Sequence, residues 1–286
     1  MKQKLCIFGE VLFDHFPDGN SVLGGAPFNV AWHLQAFGCA PLFISRVGDD
    51  AEGESVRSAM QRWGMDTSGL QTDATLPTGK VDVSLIGGEP SYDIVNPCAY
   101  DAIEKPEMAK GCRWLYHGSL ALREPASMRA LKHITDEHPG TVFLDVNLRP
   151  PWWQREKVLS LVGRADWVKL NGDELDELAP GTSASDFLDQ QGLRGLLVTH
   201  GAKGAEVLTA AGESFTVEPE RADHVVDTVG AGDAFASVMI LGLVRGWHLT
   251  DTLKRAQTFA SRIVGNRGAT VDDPAFYAPL IKDWNL

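Results

Sequence analysis

Short runs of apolar and β-branched residues alternate along this chain with segments of helical periodicity. "PLFISRVG" is followed by the helical "AEGESVRSAMQRWG", and "TVFLDVN" by "REKVLSLVG". Strands that alternate with helices form a mostly parallel sheet covered by helices on both faces. No fixed-period repeat or low-complexity linker interrupts the pattern. We therefore predict an α/β fold with a doubly wound sheet, in a single domain over residues 1–286, opened by one buried strand, "KLCIFGEVLFD", and closed by two long helices.

One region departs from this alternation. From Thr78 to Val95 the sequence reads as two short strands across a Gly-Gly-Glu-Pro turn, with no helix between them. Lys80, Asp82 and Ser84 alternate there with apolar residues, as in a half-exposed sheet. A β excursion of this kind is expected either to cover the strand ends as a lid or to be a surface hairpin.

Charge and cysteine content exclude several classes of protein. The 286 residues include 26 Lys and Arg against 38 Asp and Glu, for a net charge of −12, without a basic run. Such a chain is a poor partner for nucleic acid or an anionic membrane surface. Its four cysteines form no CxxC pair, which fits a reducing cytosol. Glu10 and Asp14 interrupt the first apolar segment, and no apolar run approaches the ~18 residues of a membrane span. We expect a soluble, cytoplasmic protein.

Polar residues follow several of the predicted strands. In open α/β sheets, ligands bind beyond the carboxyl ends of the strands. Any one of these residues could instead cap a helix or shape a turn. Together they favour a polar site, and they are Asp14, Asn147, Arg149, Asn171, Glu174, Thr199 and Gly201.

The stretch "DTVGAGDAF" places Gly230, Ala231 and Gly232 directly before Asp233, at the start of a largely apolar helix. Free N–H groups and the helix dipole can hold an anion at such a terminus, and small residues let it approach. A carboxylate there would repel a resting phosphate, but it suits a hydroxyl that loses its proton as a phosphoryl group arrives. Asp233 is therefore a candidate general base. The alternative is an N-capping aspartate after a glycine turn.

Other phosphate-binding patterns are missing from the sequence. "TLPTGKV" lacks the first glycine and the Ser/Thr of a P-loop, and no GxGxxG follows the first strand. There is also no HExxH zinc motif and no GxSxG elbow of a hydrolase. These absences argue against a P-loop protein, a nicotinamide dehydrogenase and a hydrolase.

Two long segments resemble the signatures of the PfkB (ribokinase-like) carbohydrate kinases. "GGAPFNVAWHLQAFG" is similar to the N-terminal signature and "DTVGAGDAF" to the C-terminal one. "GEVLFD" resembles the opening strand of sugar kinases, and "DVNLRPPWW" the DxNxR stretch of fructokinases. "NGDE" and "THGAKG" are similar to the NxxE motif and the TxGxxG nucleotide loop. The likeness covers nearly the whole chain. It implies a ribokinase-like fold with a small β lid from about residues 10–25 and 78–102.

The resemblance also implies a role for each matching residue. The expected catalytic residues are Asp233 as the general base, Gly230, Ala231 and Gly232 as the anion hole for the transferred phosphate, and Arg149. The sugar is expected at Asp14, Gly25, Asn29 and Asn147. ATP is expected at Asn171, Thr199, Gly201, Gly204 and Asn266, with Mg²⁺ organised through water by Asn171 and Glu174. Many relatives also bind a monovalent cation such as K⁺ near the position of Asp227, and a homodimer through the lid is a further expectation. Val229, His200 and "DVN" depart from the usual pattern, and the first two leave the cation site and the adenine contacts open.

The choice of sugar rests on the charge of the predicted lid. From Thr78 to Glu104, five acidic residues face one basic residue, Lys80, which fits a neutral sugar better than a sugar phosphate. Tyr92 and Tyr100 give little basis for stacking a nucleobase. Fructose is the first choice, with ribose, a keto-sugar acid or a nucleoside as alternatives. A sugar- or nucleotide-binding regulator without activity is the alternative from another class.

Overall fold

A nine-stranded sheet runs through the centre of the protein. The computed structural model describes residues 4–86, 89–106, 109, 111–137, 140–219 and 226–286. The strands are numbered in chain order, and β2, β3, β6 and β7 belong to a second sheet described below. The strands of the large sheet are β1 (Lys4–Phe8), β4 (Leu42–Gly48), β5 (Leu70–Asp73), β8 (Cys112–His117), β9 (Thr141–Asp145), β10 (Trp167–Asn171), β11 (Gly195–Thr199), β12 (Ala205–Thr209) and β13 (Ser214–Val217). All neighbours are parallel except β12 and β13, which add an antiparallel edge.

Helices cover both faces of this sheet. They are α1 (Ala26–Ala36), α2 (Ala51–Arg62), α3 (Pro125–Glu137), α4 (Arg155–Val162), α5 (Gly172–Leu178), α6 (Ala184–Gln191), α7 (Ala231–Arg245), α8 (Leu249–Ile263) and α9 (Pro274–Trp284). Two apolar cores result, one around α1, α7 and α8 and one around α3 to α6. The prediction of a doubly wound, mostly parallel α/β fold is confirmed. Within the described residues, no helix combines the length and the apolar character that crossing a membrane requires.

The strand order places a ligand crevice near the middle of the large sheet. Its order is β13-β12-β11-β10-β9-β8-β1-β4-β5. The chain therefore moves from β1 to β4 on one side and later continues from β8 on the other side. The loops after β1 and β8 lead to opposite faces at this switch point, and ligands of open α/β sheets bind there. A ligand-binding site is therefore expected among the residues that follow β1, β8, β9 and β10.

A second sheet of four strands is formed by residues outside the alternating pattern. It contains β2 (Leu12–His15), β3 (Ser21–Gly24), β6 (Gly79–Ile86) and β7 (Glu89–Ile94) in the order β3-β2-β6-β7. β6 and β7 pair antiparallel, as predicted, while the Gly87 and Gly88 of their turn lie outside the described residues. The small sheet joins two segments that are far apart in the sequence.

Three details differ from the sequence-based expectation. The predicted first strand is two strands, because the backbone turns at Gly9, where φ is +150° and a Cβ would lie 2.4 Å from Cγ of Pro27. Asp14 therefore lies within β2 of the small sheet and not at the end of a strand of the large one. Three helices, not two, end the chain, since α9 follows α7 and α8.

Candidate active site

The N-terminus of α7 forms the tight turn that the glycines predict. Gly230 precedes the helix with φ of +81°, and a Cβ at this position would lie 2.4 Å from Cβ of Ala269. Only glycine fits such a conformation and such a contact without strain. The first N–H groups of a helix have no partner within it, so this turn offers donors to an anion.

Asp233 lies in the first turn of α7 and is held by α1. Its Oδ2 accepts a hydrogen bond of 2.8 Å from Nδ2 of the buried Asn29. Burial raises the pKa of Asp233 to about 6, the Asn29 hydrogen bond opposes that shift, and the nearby Asp145 carboxylate adds to it. A carboxylate with this pKa is largely ionised at neutral pH and is a better proton acceptor than an ordinary aspartate. The geometry suits a general base.

Asp14 and Asn29 face the same region from the small sheet and from α1. A Cβ placed on Gly24 would lie 3.7 Å from Oδ2 of Asp14 and 4.0 Å from Oδ1 of Asn29. Oδ1 of Asn29 is buried and has no hydrogen-bond partner among the described residues. Burial raises the pKa of Asp14 to about 6, while Arg149 and His15 lower it. Two polar groups able to bind hydroxyls therefore converge beside Asp233.

Asn147 and Arg149 approach these groups from the loop after β9. Asn147 adopts a left-handed conformation with φ of +43°, and its carbonyl accepts a 3.4 Å hydrogen bond from Oγ of Ser119. The exposed Arg149 lowers the pKa of both Asp14 and Asp233, which places its positive charge near both carboxylates. The structure thus brings Asp14, Asn29 and Asp233 to one region on which the charge of Arg149 acts, while Gly25 directly precedes α1 and Asn147 lies in the loop that carries Arg149.

A buried ion pair lies directly against the glycine turn, and the sequence analysis missed it. Nζ of Lys169 in β10 lies 2.8 Å from both carboxylate oxygens of Asp145, its register partner in β9. Burial by itself would lower the pKa of Lys169, but Asp145 outweighs burial and the pKa is raised. A Cβ on Gly232 would lie 3.6 Å from this ammonium group. The sequence signal for this ion pair was one charged residue inside each of two apolar segments, "TVFLDVN" and "DWVKLN".

Glu10 is a second group that the sequence analysis did not assign. It follows β1 at the switch point of the sheet and is 2% exposed. Burial raises its pKa to about 7, its own backbone N–H and Arg149 oppose that shift, and Asp233 adds to it. The signal in the sequence was a glutamate in the middle of the mostly apolar segment "KLCIFGEVLFD", which by itself indicates only that the segment is not a signal peptide.

Asn171 and Glu174 form the cap of α5 at the end of β10. Oδ1 of Asn171 accepts a hydrogen bond from the N–H of Glu174, whose Oε2 accepts one from the N–H of Asn171, each at 2.8 Å. Oε1 of Glu174 accepts a third, from the N–H of Leu148, also at 2.8 Å. Burial raises the pKa of this carboxyl group, and the Asn171 N–H opposes the shift. Each oxygen keeps further lone pairs for a cation or its water.

A metal ion at this position would need ligands besides protein side chains. No group of three or more His, Cys, Asp and Glu side chains within the described residues is arranged to hold one. Mg²⁺ commonly keeps several waters and binds through one or two carboxylates plus substrate phosphates. Asn171 and Glu174 fit that mode of binding.

The residues predicted for the nucleotide are only partly brought together. Thr199 pairs in register with Asn171 at the ends of β11 and β10, and Gly201 and Gly204 shape the turn that follows. Nδ2 of Asn266 instead donates to the carbonyl of Arg262, and we find no contact from Asn266 to these residues within the described part of the chain. Asp227 accepts from the N–H groups of Val229 and Gly268, and its charge raises the pKa of Asp14.

This combination of fold and site defines a class of protein. A doubly wound sheet, a second small sheet beside its strand ends and a glycine turn carrying an aspartate at a helix N-terminus are the parts of an enzyme that phosphorylates sugar hydroxyls. Residues 3–275 match the model of the pfkB family of carbohydrate kinases. The chain belongs to this family and is a phosphotransferase that acts on a sugar hydroxyl.

Individual relatives agree with the family assignment. The chain is 33% identical over 299 residues to the fructokinase of Salmonella typhimurium, covering 94% of this chain and 95% of the relative. It is 31% identical over 290 residues to the aminoimidazole riboside kinase of the same species, covering 93% and 90%. A structure of Vibrio cholerae fructokinase with fructose, ADP and calcium ion superimposes with a TM-score of 0.83 at 27% identity, covering 97% of this chain and 98% of that one.

Proposed function

We propose that the protein transfers the γ-phosphate of ATP to a hydroxyl of a neutral sugar, with fructose as the preferred acceptor. The observation that carries this proposal is the position of Asp233, which stands at the anion-binding turn of α7 and is joined through Asn29 to the region of Asp14. A base between an anion site and hydroxyl-binding groups is the arrangement that phosphoryl transfer to an alcohol requires.

In the proposed transfer the protein mainly orients the reactants and stabilises charge. Asp14, Gly25, Asn29 and Asn147 hold the sugar so that one hydroxyl points to Asp233, which takes its proton. The N–H groups of Gly230, Ala231 and Gly232 receive the transferred phosphoryl group. The ammonium group of Lys169 lies behind this turn, where its pairing with Asp145 holds it in place.

The nucleotide lies along the ends of β10 and β11 in this proposal. Asn171, Thr199, Gly201 and Gly204 bind ATP there, and Asn266 is proposed near its adenine or ribose. Mg²⁺ is held through water at Asn171 and Glu174 and neutralises phosphate charge. A monovalent cation near Asp227 remains a proposal of the same kind, supported by the effect of that carboxylate on the pKa of Asp14.

The small sheet carries two further proposals. Residues of about 10–25 and 78–102 close over the sugar as a lid and exclude water, which would otherwise compete as acceptor. The sheet ends at β3 and β7, whose outer edges pair with no further strand among the described residues, and these edges support the proposed homodimer through the lid. Light scattering of the purified protein tests the dimer, which a monomeric mass would contradict.

The preference for fructose is supported by charge and by relatives. Exposed carboxylates such as Asp82 and Asp93 in the small sheet disfavour an anionic sugar. Relatives named fructokinase match over most of the chain. A riboside is the second candidate substrate, because a relative of similar identity is an aminoimidazole riboside kinase.

A coupled assay of ADP release across a panel of acceptors tests the proposal. The panel contains fructose, ribose, a keto-sugar acid, a nucleoside and fructose 6-phosphate, and ³¹P NMR identifies each product. We expect the highest kcat/KM for fructose and none for fructose 6-phosphate. A higher kcat/KM for the nucleoside would replace the sugar assignment, and binding of ATP and sugar without turnover of any acceptor would favour the regulator.

A further inference from the structure

Glu10 is a buried acid beside the catalytic carboxylate for which the proposed transfer has no role. Its Oε1 lies towards the loop after β8, 4.0 Å from a Cβ placed on Gly118, and the N–H of Ala121 stabilises its ionised form. Its Oε2 is buried and has no hydrogen-bond partner among the described residues. A buried carboxylate oxygen without a donor costs stability. Glu10 therefore lacks one donor that its position calls for.

Arg149 is the matching group with unused donors. The only hydrogen bond from its side chain within the described residues runs from Nη1 to the carbonyl of Leu148 at 3.3 Å. Its charge lowers the pKa of Glu10, Asp14 and Asp233, yet none of the three carboxylates pairs with it within 4.0 Å. The charge of Arg149 therefore acts on three acids, and Arg149 forms an ion pair with none of them.

The three acids differ in what else they must bind. Asp233 accepts from Asn29, and in the proposed function it also takes the proton of the sugar hydroxyl. Asp14 stands beside the same sugar region. Glu10 alone is almost fully buried, with a free oxygen and no proposed contact to substrate. It is the acid that can hold Arg149 without competing with the sugar.

We propose that Glu10 is a positioning residue that receives the guanidinium group of Arg149 when sugar and nucleotide bind. The paired arginine is then fixed between the sugar and the transferred phosphoryl group, with its remaining N–H groups free for them. Arginine suits this role because its planar fork bonds a carboxylate with defined geometry. This inference rests on the proposed sugar-kinase function.

A double-mutant cycle on the full-length protein tests the link. The variants are Glu10→Gln, Arg149→Met and their combination, with kcat measured for fructose at pH about 8, where the carboxylates are ionised. We expect Glu10→Gln to lower kcat about ten- to hundredfold, as for loss of one charge-assisted pair, and Arg149→Met at least as much. The double variant should be no slower than Arg149→Met alone, because the two residues act as one unit. The melting temperature of Glu10→Gln should not fall below that of the wild type, because the change removes a buried charge.

In the control cycle, Arg194→Met takes the place of Arg149→Met. Arg194 is exposed and directly precedes β11, at the edge of the sheet opposite to the carboxyl ends of the strands. There the effect of Glu10→Gln should be unchanged. The proposal would be overturned if the loss of kcat in the double variant equalled the product of the losses in Glu10→Gln and Arg149→Met. A wild-type kcat in either single variant would also overturn it. A wild-type protein without turnover would instead contradict the proposed function.

A structure of the wild type with fructose and a non-hydrolysable ATP analogue gives a second test that needs no variant. We expect a guanidinium nitrogen of Arg149 within hydrogen-bonding distance of Oε2 of Glu10, about 3 Å. Separation by more than about 4 Å in that complex would overturn the proposal.

Discussion

At the scale of residues, the acids of the proposed sugar site predict how activity depends on pH. Burial raises the pKa of Asp233 and that of Asp14 to about 6 each. An acid with a raised pKa is protonated below that value, so both groups lose their ability to accept as the pH falls through about 6. We predict that kcat/KM is level above about pH 8, where Glu10 with its pKa of about 7 is ionised as well, and falls by between one and two orders of magnitude per pH unit well below 6.

Initial rates at limiting fructose between about pH 5 and about pH 9 measure this dependence. The melting temperature recorded over the same range serves as the control for unfolding. An acidic limb near pH 4, the ordinary range of aspartate, would contradict the assigned environment of both residues.

Asp14 carries a separate prediction about affinity. Its carboxylate can accept hydrogen bonds from two sugar hydroxyls, each worth roughly 1.5–3 kcal/mol when charge-assisted. Asp14→Ala should therefore raise the KM for fructose by about one to two orders of magnitude and leave the KM for ATP little changed. The matched control is Asp93→Ala, which removes an exposed carboxylate from the same small sheet.

Two results would remove Asp14 from the sugar site. If it only shapes β2, the melting temperature falls and the affinity for fructose does not. If the KM values of both substrates rise together, the sugar lies elsewhere. Both KM values and the melting temperature are therefore measured on one preparation.

Single site residues could be predicted where they belong to a sequence motif. They could not be predicted where only a contact in the folded protein reveals their role. Asp233 and Asn29 belong to the two long signatures, and the structure joins them by a hydrogen bond. Lys169, Asp145 and Glu10 were missed because a charge inside an apolar strand gains meaning only from its neighbours across the sheet. The pairing of Lys169 with Asp145 depends on the register of β10 and β9, which single-strand patterns do not determine.

At the scale of elements, the cap of α5 positions the carboxylate that is proposed to bind Mg²⁺. Glu174 accepts hydrogen bonds from the N–H groups of Asn171 and Leu148, which fixes its carboxylate at the end of β10. Glu174→Gln removes the charge that attracts a hard cation. We predict a Mg²⁺ requirement raised by about tenfold or more, with unchanged binding of the sugar.

Titration of activity with MgCl₂ after treatment with EDTA measures this requirement. Glu177→Gln, at an exposed position of the same helix, is the control and should behave like the wild type. Activity that persists in EDTA, or a Glu174→Gln curve that coincides with the control, would contradict the proposed role of Glu174.

Helices and strands whose apolar residues recur with a clear helical or strand period were predicted. Strands that are defined by pairing with distant parts of the chain were not. The helical patterns that became α2 and α4 and the strands β4 and β9 follow the sequence closely. The opening strand was predicted as continuous because the apolar residues run on past Gly9, while close packing against Pro27 turns the chain there. β5, β12 and β13 are short, and their partners rather than their own sequence define them.

For the whole molecule, the site exists only where the two sheets and α7 meet. Asp14 comes from the small sheet, Asn29 from α1, Arg149 from the loop after β9 and Asp233 from α7. The sequence indicated the α/β class from its alternation and the reaction from its signatures. It could not indicate that these four segments converge, since convergence depends on the strand order β9-β8-β1 and on the packing of α1 against α7.

The most direct test of this account is the turnover of Asp233→Asn with ATP and fructose. The change is nearly isosteric and removes only the base, so kcat should fall about 10²- to 10⁴-fold while the melting temperature and ATP binding persist. Asp251→Asn makes the same change in the first turn of α8 and should keep the wild-type rate. If Asp233→Asn phosphorylates fructose at a near wild-type rate, Asp233 is only a helix residue and the proposed mechanism is wrong.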